Sequence, residues 1–409
     1  MISVTSRSNL FAHTGDLHIG AGYAHGDEDA GGVNSRLRDF QASWVWSCKE
    51  MVEAGVQTAI IAGDVFHTAK PTPTELAAFV AGLEVLEEAD ISVLAIVGNH
   101  DQARSTGRAH ALHVFKDRII VIDRPEVIHH HGVWYACLPN INRAHVAAAD
   151  PEFAALDIDA QNARIADLML QTIRGLAAKA EQAAQGNPTV LVAHGTIAGS
   201  AVGAAATTAF FRDAVLPLSE LRGLPFDYQA WAHLHRAQEL TDTIRYCGSI
   251  DRIDFNEAGE DKGWWLVDLG DPGLGMPVIT WRSSNPRSFV DLALDDPAEW
   301  ERDVEPHLYT PDWIEGSIVR VSYTATPEVA KTVDHGAIRR ALYAAGAVKV
   351  HGPFADITHD VTARDEDNPI SEDTDVMTAW ERYATLQGIE PTQYARLQGR
   401  MREACEVNQ

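Results

Sequence analysis

The stretch TAIIAGDVFH, residues Thr58–His67, decides the fold. Its first half is a run of small and β-branched apolar residues that stops at a glycine, which is typical of a parallel strand covered on both faces. Asp64 and His67 follow this strand, and loops at the carboxyl ends of such strands hold the ligands of α/β proteins. Because a carboxylate can use its two oxygens on two cations, Asp64 is our candidate for a residue that bridges two metal ions.

The same arrangement recurs along the chain on both sides of this stretch. A short apolar strand precedes Asp16 and His18, which lie two residues apart and would point the same way in an extended segment. The strand Ile91–Val97 is followed by the sequence GNHD, and two later strands are followed by HG and HLH. Together these strand ends supply oxygen and nitrogen donors from Asp16, His18, Asp64, Asn99, His194, His233 and His235.

The donor set indicates two-metal chemistry. Any one of these residues alone is more often structural than functional, but so many donors at successive strand ends, in a repeating βα pattern, are hard to produce by chance. Carboxylate, imidazole and amide donors without a thiolate suit Mn, Fe or Zn. Two such ions are well suited to phosphoester hydrolysis, because they hold both the attacking and the leaving oxygen. The sequence therefore predicts a metal-dependent hydrolase of phosphoesters.

Residue patterns also predict individual elements away from these strand ends. Thr74 is the expected N-cap of a helix over Glu75–Ala89. The runs Arg245–Ser249 and Gly263–Leu269 are expected to form paired antiparallel strands. The three consecutive histidines His129–His131 lie between two strand signals, so we interpret them as a solvated or edge segment rather than as a metal site.

Composition limits the class of protein. The chain has 409 residues, of which 45% are hydrophobic and 22% charged, as in an ordinary soluble protein of two or three domains. Four widely spaced cysteines, the absence of an apolar signal core near the amino terminus and the absence of a long apolar run predict a cytoplasmic protein without a membrane span. The net charge of -25 is unfavourable for a protein that binds nucleic acid by itself.

The motifs, taken in order, resemble those of the calcineurin-like metallophosphoesterases. They are D-x-H, G-D, G-N-H-D, H-G and H-x-H, at the strand ends described above. More narrowly, the blocks HTGDLHIG, AGDVFHTAKPTP, AHGT and YCGSIDRIDFNE look like those of the SbcD-type nuclease subunit of double-strand-break repair complexes, over roughly residues 9–270. The resemblance implies an α/β fold, namely a metallophosphoesterase β-sandwich flanked by helices, with a small α+β capping domain and C-terminal helices.

The resemblance also implies a place for each donor in a centre of two divalent ions, with Mn²⁺ as the expected metal. The first ion would be held by Asp16, His18, Asp64 and His235. The second ion would be held by Asp64, Asn99, His194 and His233. Asp64 belongs to both sets, in agreement with its expected role as the bridge.

Three further residues would have catalytic roles by the same resemblance. His100 would assist at the scissile phosphate, by protonating the leaving oxygen or by steadying the charge of the transition state. His67 matches the position that the family associates with exonuclease action, and Asp101 would orient His100. The chain departs from the family pattern at Gly15, where Ser is frequent, and at Ala232, where Gly usually precedes H-x-H. Neither departure removes a ligand.

We expect four regions along the chain. They are a metallophosphoesterase nuclease domain over residues 1–285, an α+β capping domain over 286–362, an acidic linker over 363–375 and a helical tail over 376–409. The tail carries apolar stripes, which would pack either on the chain's own domains or on a partner. The resemblance implies that this partner is the coiled-coil base of an SbcC-type SMC-like ATPase, and that the protein forms a homodimer.

The expected function is that of a DNA nuclease subunit in end processing, repair or recombination. It would act with the ATPase as a 3′-to-5′ exonuclease on duplex ends and as an endonuclease on single strands. The alternative is a stand-alone metallophosphodiesterase acting on nucleotides or small phosphoesters, which the acidic charge suits. The segments that follow the core argue against this alternative, because a small-molecule hydrolase has less need of a cap and a tail. A non-enzymatic scaffold for DNA ends is disfavoured because every expected ligand is present.

Overall fold

The computed structural model describes residues 9–102, 110–201, 213–270, 276–294 and 312–358, together with Thr378 and Trp380. Within these residues the strands are β1 (Leu10–Thr14), β2 (Thr58–Ile61), β3 (Ser92–Ile96), β4 (Ile120–Ile122), β5 (Glu126–His130), β6 (Val133–Leu138), β7 (Thr189–His194), β8 (Thr196–Ile197), β9 (Val215–Leu216), β10 (Tyr228–Ala232), β11 (Gln238–Glu239), β12 (Ile244–Tyr246), β13 (Gly263–Asp268), β14 (Val278–Ser283), β15 (Phe289–Leu294), β16 (Ile318–Ala325) and β17 (Lys349–Ile357). The α-helices are α1 (Ser35–Ala54), α2 (Pro73–Glu88), α3 (Arg143–Ala149), α4 (Pro151–Ala154), α5 (Ile158–Ala184), α6 (Leu218–Arg222), α7 (Pro327–Ala330) and α8 (His335–Ala344). Short 3-10 helices span Tyr23–His25, Ala111–Phe115, Phe255–Glu257 and Asp312–Ile314.

Two six-stranded sheets form the main part of the described chain. The first has the order β14-β13-β1-β2-β3-β4, and its strands β1 to β4 are parallel. The second has the order β11-β12-β10-β7-β6-β5, with antiparallel strands only at its two edges. Side chains from both sheets form one buried apolar cluster. The two sheets therefore face each other as the halves of a β-sandwich.

Helices cover the outer faces of this sandwich. In the deciding stretch, Ala59 and Ile61 pack with α1 and α2, whereas Ile60 and Ala62 enter the core between the sheets. Successive strand side chains point to opposite faces, so a strand buried on both faces is apolar without interruption. On the other side, α5 packs its apolar residues against the second sheet. The predicted fold class, a β-sandwich flanked by helices, is confirmed.

The predicted N-cap of α2 is wrong. Thr72, and not Thr74, is the N-cap: its Oγ1 accepts a hydrogen bond from the Glu75 N–H at 3.3 Å, and the Glu75 carboxylate accepts one from the Thr72 N–H at 2.7 Å. Pro73 then occupies the first helical position, where its missing N–H is harmless. This reciprocal pair of hydrogen bonds outweighs the general preference that made Thr74 an equally suitable cap.

The predicted antiparallel pairing between Arg245–Ser249 and Gly263–Leu269 is also wrong. Strand β12 lies in the second sheet between β10 and β11, whereas β13 pairs with β1 and β14 in the first sheet. The chain crosses from one half of the sandwich to the other between them. An apolar run predicts a strand, but the choice of its neighbour depends on contacts that are distant in sequence.

The structure also bears on the run of three histidines and on membrane-spanning helices. His129 and His130 end β5, an edge strand of the second sheet, and His131 follows in the turn, so the predicted edge segment is confirmed. Among the residues that the structure describes, no helix combines the length and the apolar character that a membrane span requires.

A third sheet follows the sandwich in sequence. Strands β15, β16 and β17 are parallel, and α8 packs with them around a separate apolar cluster. Arg287, just before β15, donates to the carboxylate of Asp39 on α1, and Lys349 pairs with Asp27. These contacts join the third sheet to the sandwich. The predicted linker 363–375 and tail 376–409 lie outside the described residues, apart from Thr378 and Trp380.

Candidate metal centre

The loops after five strands meet at one edge of the sandwich. The backbone N–H of Asp16 donates to the carbonyl of Gly63 at 3.0 Å, and that of His18 donates to the carbonyl of Asp64 at 3.0 Å, so the loops after β1 and β2 run side by side. Two groups share Asp64, and within each group the ligand atoms lie within 4.8 Å of one another: the first is Asp16, His18 and Asp64, and the second is Asp64, His194 and His233. The other two predicted donors, Asn99 and His235, contact these groups directly.

Asp16 and His18 lie together as predicted, but the predicted reason, an extended segment, is wrong. Neither lies in an extended segment: Asp16 has a φ of 45° and His18 a φ of 42°, both in the left-handed region. Asp64 and His233 share this feature, with φ of 53° and 112°. Such a backbone costs about 1–3 kcal/mol per non-glycine residue and is concentrated at functional sites. The pair meets because of strained loops and not because of strand alternation.

The imidazole of His18 provides the clearest sign that a cation fits here. Its Nε2 is buried and, among the described residues, has no hydrogen-bond partner. It lies 3.6 Å from Oδ2 of Asp64, and the same oxygen lies 3.5 Å from Nε2 of His194. These separations are long for hydrogen bonds but suit three atoms that each bind a metal at roughly 2.0–2.2 Å. The residues present therefore fit a metal ion.

Asn99 connects the remaining imidazoles of the second group. Its Oδ1 lies 2.8 Å from Nε2 of His194 and 2.9 Å from Nδ1 of His233. Nδ1 of His194 donates to the carbonyl of Ala62 at 2.9 Å, because a carbonyl can only accept. This bond fixes the ring so that Nε2 faces Asn99 and Asp64, which is the orientation that a ligand to a shared ion needs.

Two carboxylates that the sequence did not single out hold the H-x-H pair. Oδ2 of Asp213 lies 2.8 Å from Nε2 of His233. Oε1 of Glu257 lies 2.8 Å from Nδ1 of His235, and Glu257 is in turn paired with the buried Lys262 at 3.0 Å. Carboxylates in such positions orient a ligating imidazole and increase its basicity. Glu257 ends the block YCGSIDRIDFNE and could have been found from it, whereas Asp213 has no distinctive sequence around it.

The electrostatics of the cluster follow from burial and from the two central carboxylates. Burial, reinforced by His235, lowers the pKa of His18 well below its ordinary value, so this imidazole is neutral and can donate its lone pair. Burial also opposes the charged form of His194, but the carboxylates of Asp64 and Asp16 outweigh it and raise its pKa to about 9. Burial and the nearby charge of Asp64 raise the pKa of Asp16. Without a metal the cluster therefore needs protons to balance its negative charge.

His100 and His67 lie at the side of the cluster formed by His18. The backbone N–H of His100 donates to Oδ1 of Asp64 at 2.8 Å, and its Nδ1 donates to the carbonyl of His67 at 2.8 Å. The rings of His67 and His100 stack with centroids 5.3 Å apart, and the ring of His18 lies 4.7 Å from that of His100. Because Nδ1 donates to this carbonyl, Nε2 is the nitrogen that His100 can present to a ligand.

The expected action of Asp101 on the imidazole of His100 is not what the structure has. Among the described residues, the buried carboxylate of Asp101 accepts hydrogen bonds from the backbone N–H groups of Gly98 at 3.0 Å, Phe66 at 3.1 Å and Val65 at 3.4 Å. The ring of His100 is held instead by the His67 carbonyl. Asp101 thus ties the loop after β2 to the loop after β3. The adjacency of His and Asp in sequence gave the wrong partner, since neighbouring side chains diverge.

Close packing of these loops requires glycine at two positions. Gly63 has a φ of +106°, and a Cβ there would lie 2.5 Å from Nδ1 of His194. A Cβ on Gly98 would collide with Oδ1 and the backbone nitrogen of Asp64. The glycines before Asp64 and Asn99 therefore allow the backbone to approach the ligands closely.

A sequence model described as calcineurin-like phosphoesterase matches residues 10–237, which is more than half of the chain. The protein belongs to the calcineurin-like phosphoesterase family. Proteins of this family use a dinuclear metal centre, and the two groups of ligand atoms that share Asp64 are its candidate in this member. The matched residues include every predicted metal donor.

Several curated relatives are similar to this phosphoesterase over most of its length. The DNA double-strand break repair protein Mre11 of Halobacterium salinarum is 28% identical over 298 residues, covering 69% of this chain and 62% of the relative. The protein of the same name from Haloferax volcanii is 26% identical over 376 residues, covering 88% and 72%. The SbcD component of the nuclease SbcCD from Escherichia coli K12 is 24% identical over 276 residues, covering 64% and 65%. The chain thus spans less than two thirds of the length of the first and third of these relatives.

Proposed function

We propose that this protein is a two-metal DNA nuclease subunit of the SbcD type, which acts in DNA end processing, repair or recombination. The observation that carries the proposal is the convergence of His18, Asp64 and His194 around a place where Nε2 of His18 has no protein partner among the described residues. The names of three relatives, two of them break-repair proteins and one a nuclease component, support DNA as the substrate.

Each ion of the proposed centre would have its own ligand set, and both ions are expected to be Mn²⁺. The first set is Asp16, His18, Asp64 and His235, and the second is Asp64, Asn99, His194 and His233. When bound, such a pair of divalent ions supplies activated water and neutralises charge at a phosphate. The chain's own contribution is to hold these donors in fixed orientations through Asp213, Glu257 and the Ala62 carbonyl.

His100 would act on the substrate at the edge of this centre. Its backbone N–H fixes Oδ1 of Asp64, and its Nδ1 bond to the His67 carbonyl leaves Nε2 to donate a proton to the leaving oxygen. His67, stacked on His100, would position the strand for exonuclease action. A cavity of about 180 Å³ beside Asn99 and His233 also borders Arg143, a cation suited to a phosphate of the same strand.

We further propose the organisation that the resemblance implies. Residues 1–285 would form the nuclease domain, and residues 286–362, which include the third sheet, would form a capping domain that orients DNA. The acidic linker 363–375 and the tail 376–409 would connect it to an SbcC-type SMC-like ATPase, and the nuclease would work as a homodimer in the cytoplasm. A basic partner would also offset the charge of -25, which otherwise opposes binding to DNA.

That same charge favours a second candidate function. A stand-alone metallophosphodiesterase acting on nucleotides or small phosphoesters does not need an extended basic surface, and the net charge of -25 would not hinder it. The ligand sets would be the same in both cases. The two candidates differ in whether the chain cleaves a phosphodiester within a long polymer.

Digestion of end-labelled DNA separates the two candidates. Purified protein with Mn²⁺ would be given duplex DNA labelled at the 3′ or the 5′ end, a circular single strand and a small phosphodiester, each with and without the ATPase and ATP. The nuclease proposal predicts early release of the 3′ label as nucleotides and opening of the circle. His100→Ala should reduce duplex digestion by ~100-fold or more, while retaining metal, and the exposed His129→Ala should leave it unchanged. Cleavage of the small ester alone, under every condition, would establish the second candidate instead.

A further inference from the structure

A further group of metal-ligand side chains lies outside the candidate metal centre. His110 immediately precedes the 3-10 helix Ala111–Phe115, and His113 lies in its middle. Asp123 directly follows strand β4. One ligand atom from each residue lies within 4.8 Å of the other two. Nε2 of His113 is 3.1 Å from Oδ2 of Asp123, and Nε2 of His110 is 3.9 Å from the same oxygen.

The environment of His110 separates this group from a chance surface cluster. The side chain of His110 is only 9% exposed, and among the described residues neither of its ring nitrogens has a hydrogen-bond partner. A buried imidazole with two unpaired nitrogens loses the hydrogen bonds that water would give it, which costs stability. Its ring lies 3.9 Å from that of His113, centroid to centroid. A ligand between the two rings and Asp123 would remove this cost.

The accessibility of the group agrees with ligation. Asp123 is 45% exposed and His113 39% exposed, so solvent can complete the coordination of an ion held by the three side chains.

We propose that His110, His113 and Asp123 form a second, structural metal site that takes a zinc-like divalent ion. Two imidazoles and one carboxylate suit Zn²⁺, which binds such donors at roughly 2.0–2.2 Å in a tetrahedral arrangement that water can complete. Ligand atoms around such an ion lie roughly 3.3–3.5 Å apart, so the observed separations of 3.1 and 3.9 Å need only small side-chain rotations. Mn²⁺ prefers sets richer in oxygen donors, so this site would differ in metal from the candidate metal centre.

The position of the site indicates what a bound ion does. It joins the 3-10 helix Ala111–Phe115 to β4, the edge strand of the first sheet. Phe115 of this helix stacks on Phe66, the residue before His67, with centroids 6.5 Å apart, and it meets Phe79 of α2 at 5.2 Å. An ion that fixes the helix to β4 therefore stabilises the packing behind the loop that carries Asp64 and His67.

Zinc content of the full-length protein tests this site. Wild type, His113→Gln, Asp123→Asn and the control His129→Gln would be stripped of metal, dialysed against buffered Zn²⁺ and measured by mass spectrometry of the metal. The candidate metal centre takes metal in all four proteins, so the difference between them isolates the new site. We expect wild type and His129→Gln to bind one zinc ion more per chain than the other two variants, whose affinity at this site falls by ~10–100-fold or more.

Two further readouts complete the test. Co²⁺ in place of Zn²⁺ should give the intense visible absorption of a tetrahedral site in wild type and lose that component in His113→Gln. Zinc should also raise the midpoint of thermal unfolding more in wild type than in Asp123→Asn. Both replaced side chains are partly exposed, so the variants are expected to fold. Equal zinc content in all four proteins, or a difference seen only at millimolar Zn²⁺, would overturn the proposal, whatever the outcome of the nuclease assay.

Discussion

At the scale of single residues, the candidate metal centre depends on side chains behind the donors. Nδ1 of His235 is paired with Glu257, a buried carboxylate whose pKa falls to about 2, because the hydrogen bond from His235 and the charge of Lys262 outweigh the effect of burial. Glu257 also accepts from the backbone N–H of Ile253 at 2.9 Å. It therefore links the H-x-H loop to the segment that follows β12, and fixes which nitrogen of His235 faces the other donors.

Removal of the charge on Glu257 should weaken metal binding. In Glu257→Gln the contact with His235 becomes neutral, so we expect affinity for Mn²⁺ to fall by ~10-fold or more, measured by titration calorimetry. Glu260→Gln is the matched control, because Glu260 contacts the same Lys262 at 2.8 Å but does not contact His235. Equal affinity for Mn²⁺ in the two variants would mean that Glu257 acts only through Lys262 and does not orient His235.

The two departures from the family pattern lie in contact with each other. A Cβ on Gly15 would be 2.8 Å from the Cβ of Ala232 and 3.1 Å from Sγ of Cys247. Gly15, which has no side chain, thus leaves room for the methyl group of Ala232. We expect Gly15→Ser alone to reduce the free energy of unfolding by ~1–3 kcal/mol through overpacking, and Ala232→Gly in the same chain to restore part of it.

Denaturant unfolding of the two single variants and the double variant measures this coupling. Ala232→Gly alone is the control for the change at position 232. If the changes in the free energy of unfolding simply add, Ala232→Gly does not compensate for Gly15→Ser, and the contact between the two positions does not affect stability.

At the scale of secondary structure, the capping of α2 distinguishes two threonines that lie two residues apart. Thr72 Oγ1 caps the helix and Glu75 completes the reciprocal bond, whereas Thr74 is exposed. Thr72→Ala should therefore reduce the free energy of unfolding by ~1 kcal/mol, and Thr74→Ala should change it by less than ~0.5 kcal/mol. Urea denaturation measures both values. A larger loss of stability in Thr74→Ala than in Thr72→Ala would instead support Thr74, the N-cap that the sequence predicted.

The elements that the sequence predicted correctly are those that local pattern determines. The stretch Thr58–Ala62 is buried on both faces, so its composition reveals it as a central strand. The cap of α2 and the partner of Gly263–Asp268 were missed, because both depend on reciprocal or distant contacts. The left-handed backbone at Asp16 and His18 was missed for a related reason, since the loops after β1 and β2 impose it on each other.

At the scale of the whole molecule, the third sheet is attached to the sandwich by charged contacts. The guanidinium of Arg287 reaches Oδ1 of Asp39 at 3.0 Å and the carbonyl of Gly316 at 2.8 Å, and Asp39 also pairs with the buried Arg36 at 2.5 Å. The hydrogen bond to Asp39 raises the pKa of Arg287. This guanidinium therefore stays charged, and it links α1 to the sheet that we propose as the cap.

Loss of this link should affect long substrates more than short ones. We expect Arg287→Gln to slow digestion of duplex DNA several-fold, because the proposed cap is no longer held over the strand, while hydrolysis of a small phosphodiester stays unchanged. Arg340→Gln, in the exposed part of α8, is the control. Equal slowing on both substrates would place the effect in the metal centre and remove the support for a cap.

More of the candidate site than of the contacts across the whole molecule could be predicted from the sequence. Each donor lies at or just after the carboxyl end of a strand, so the parallel order of β2 and β3 was enough to bring Asp64 and Asn99 together. His194 ends β7 of the second sheet, and it joins them because the two sheets pack face to face. Asp213 could not be found in this way, because its role comes only from contact with His233 in the folded chain. The contact between Arg287 and Asp39, far apart in sequence, was beyond prediction for the same reason.

The bridging role of Asp64 is tested most directly by manganese binding measured with electron paramagnetic resonance. Metal-free wild type and Asp64→Asn would be titrated with Mn²⁺, and the bound ions examined for the exchange coupling that a shared ligand transmits. An isolated ion elsewhere would give an uncoupled signal and would not be confused with the pair. The expected result is a coupled pair in wild type that disappears in Asp64→Asn. A single uncoupled ion in wild type would contradict the two-metal centre, and a coupled pair that persists without the carboxylate would contradict the bridging role of Asp64.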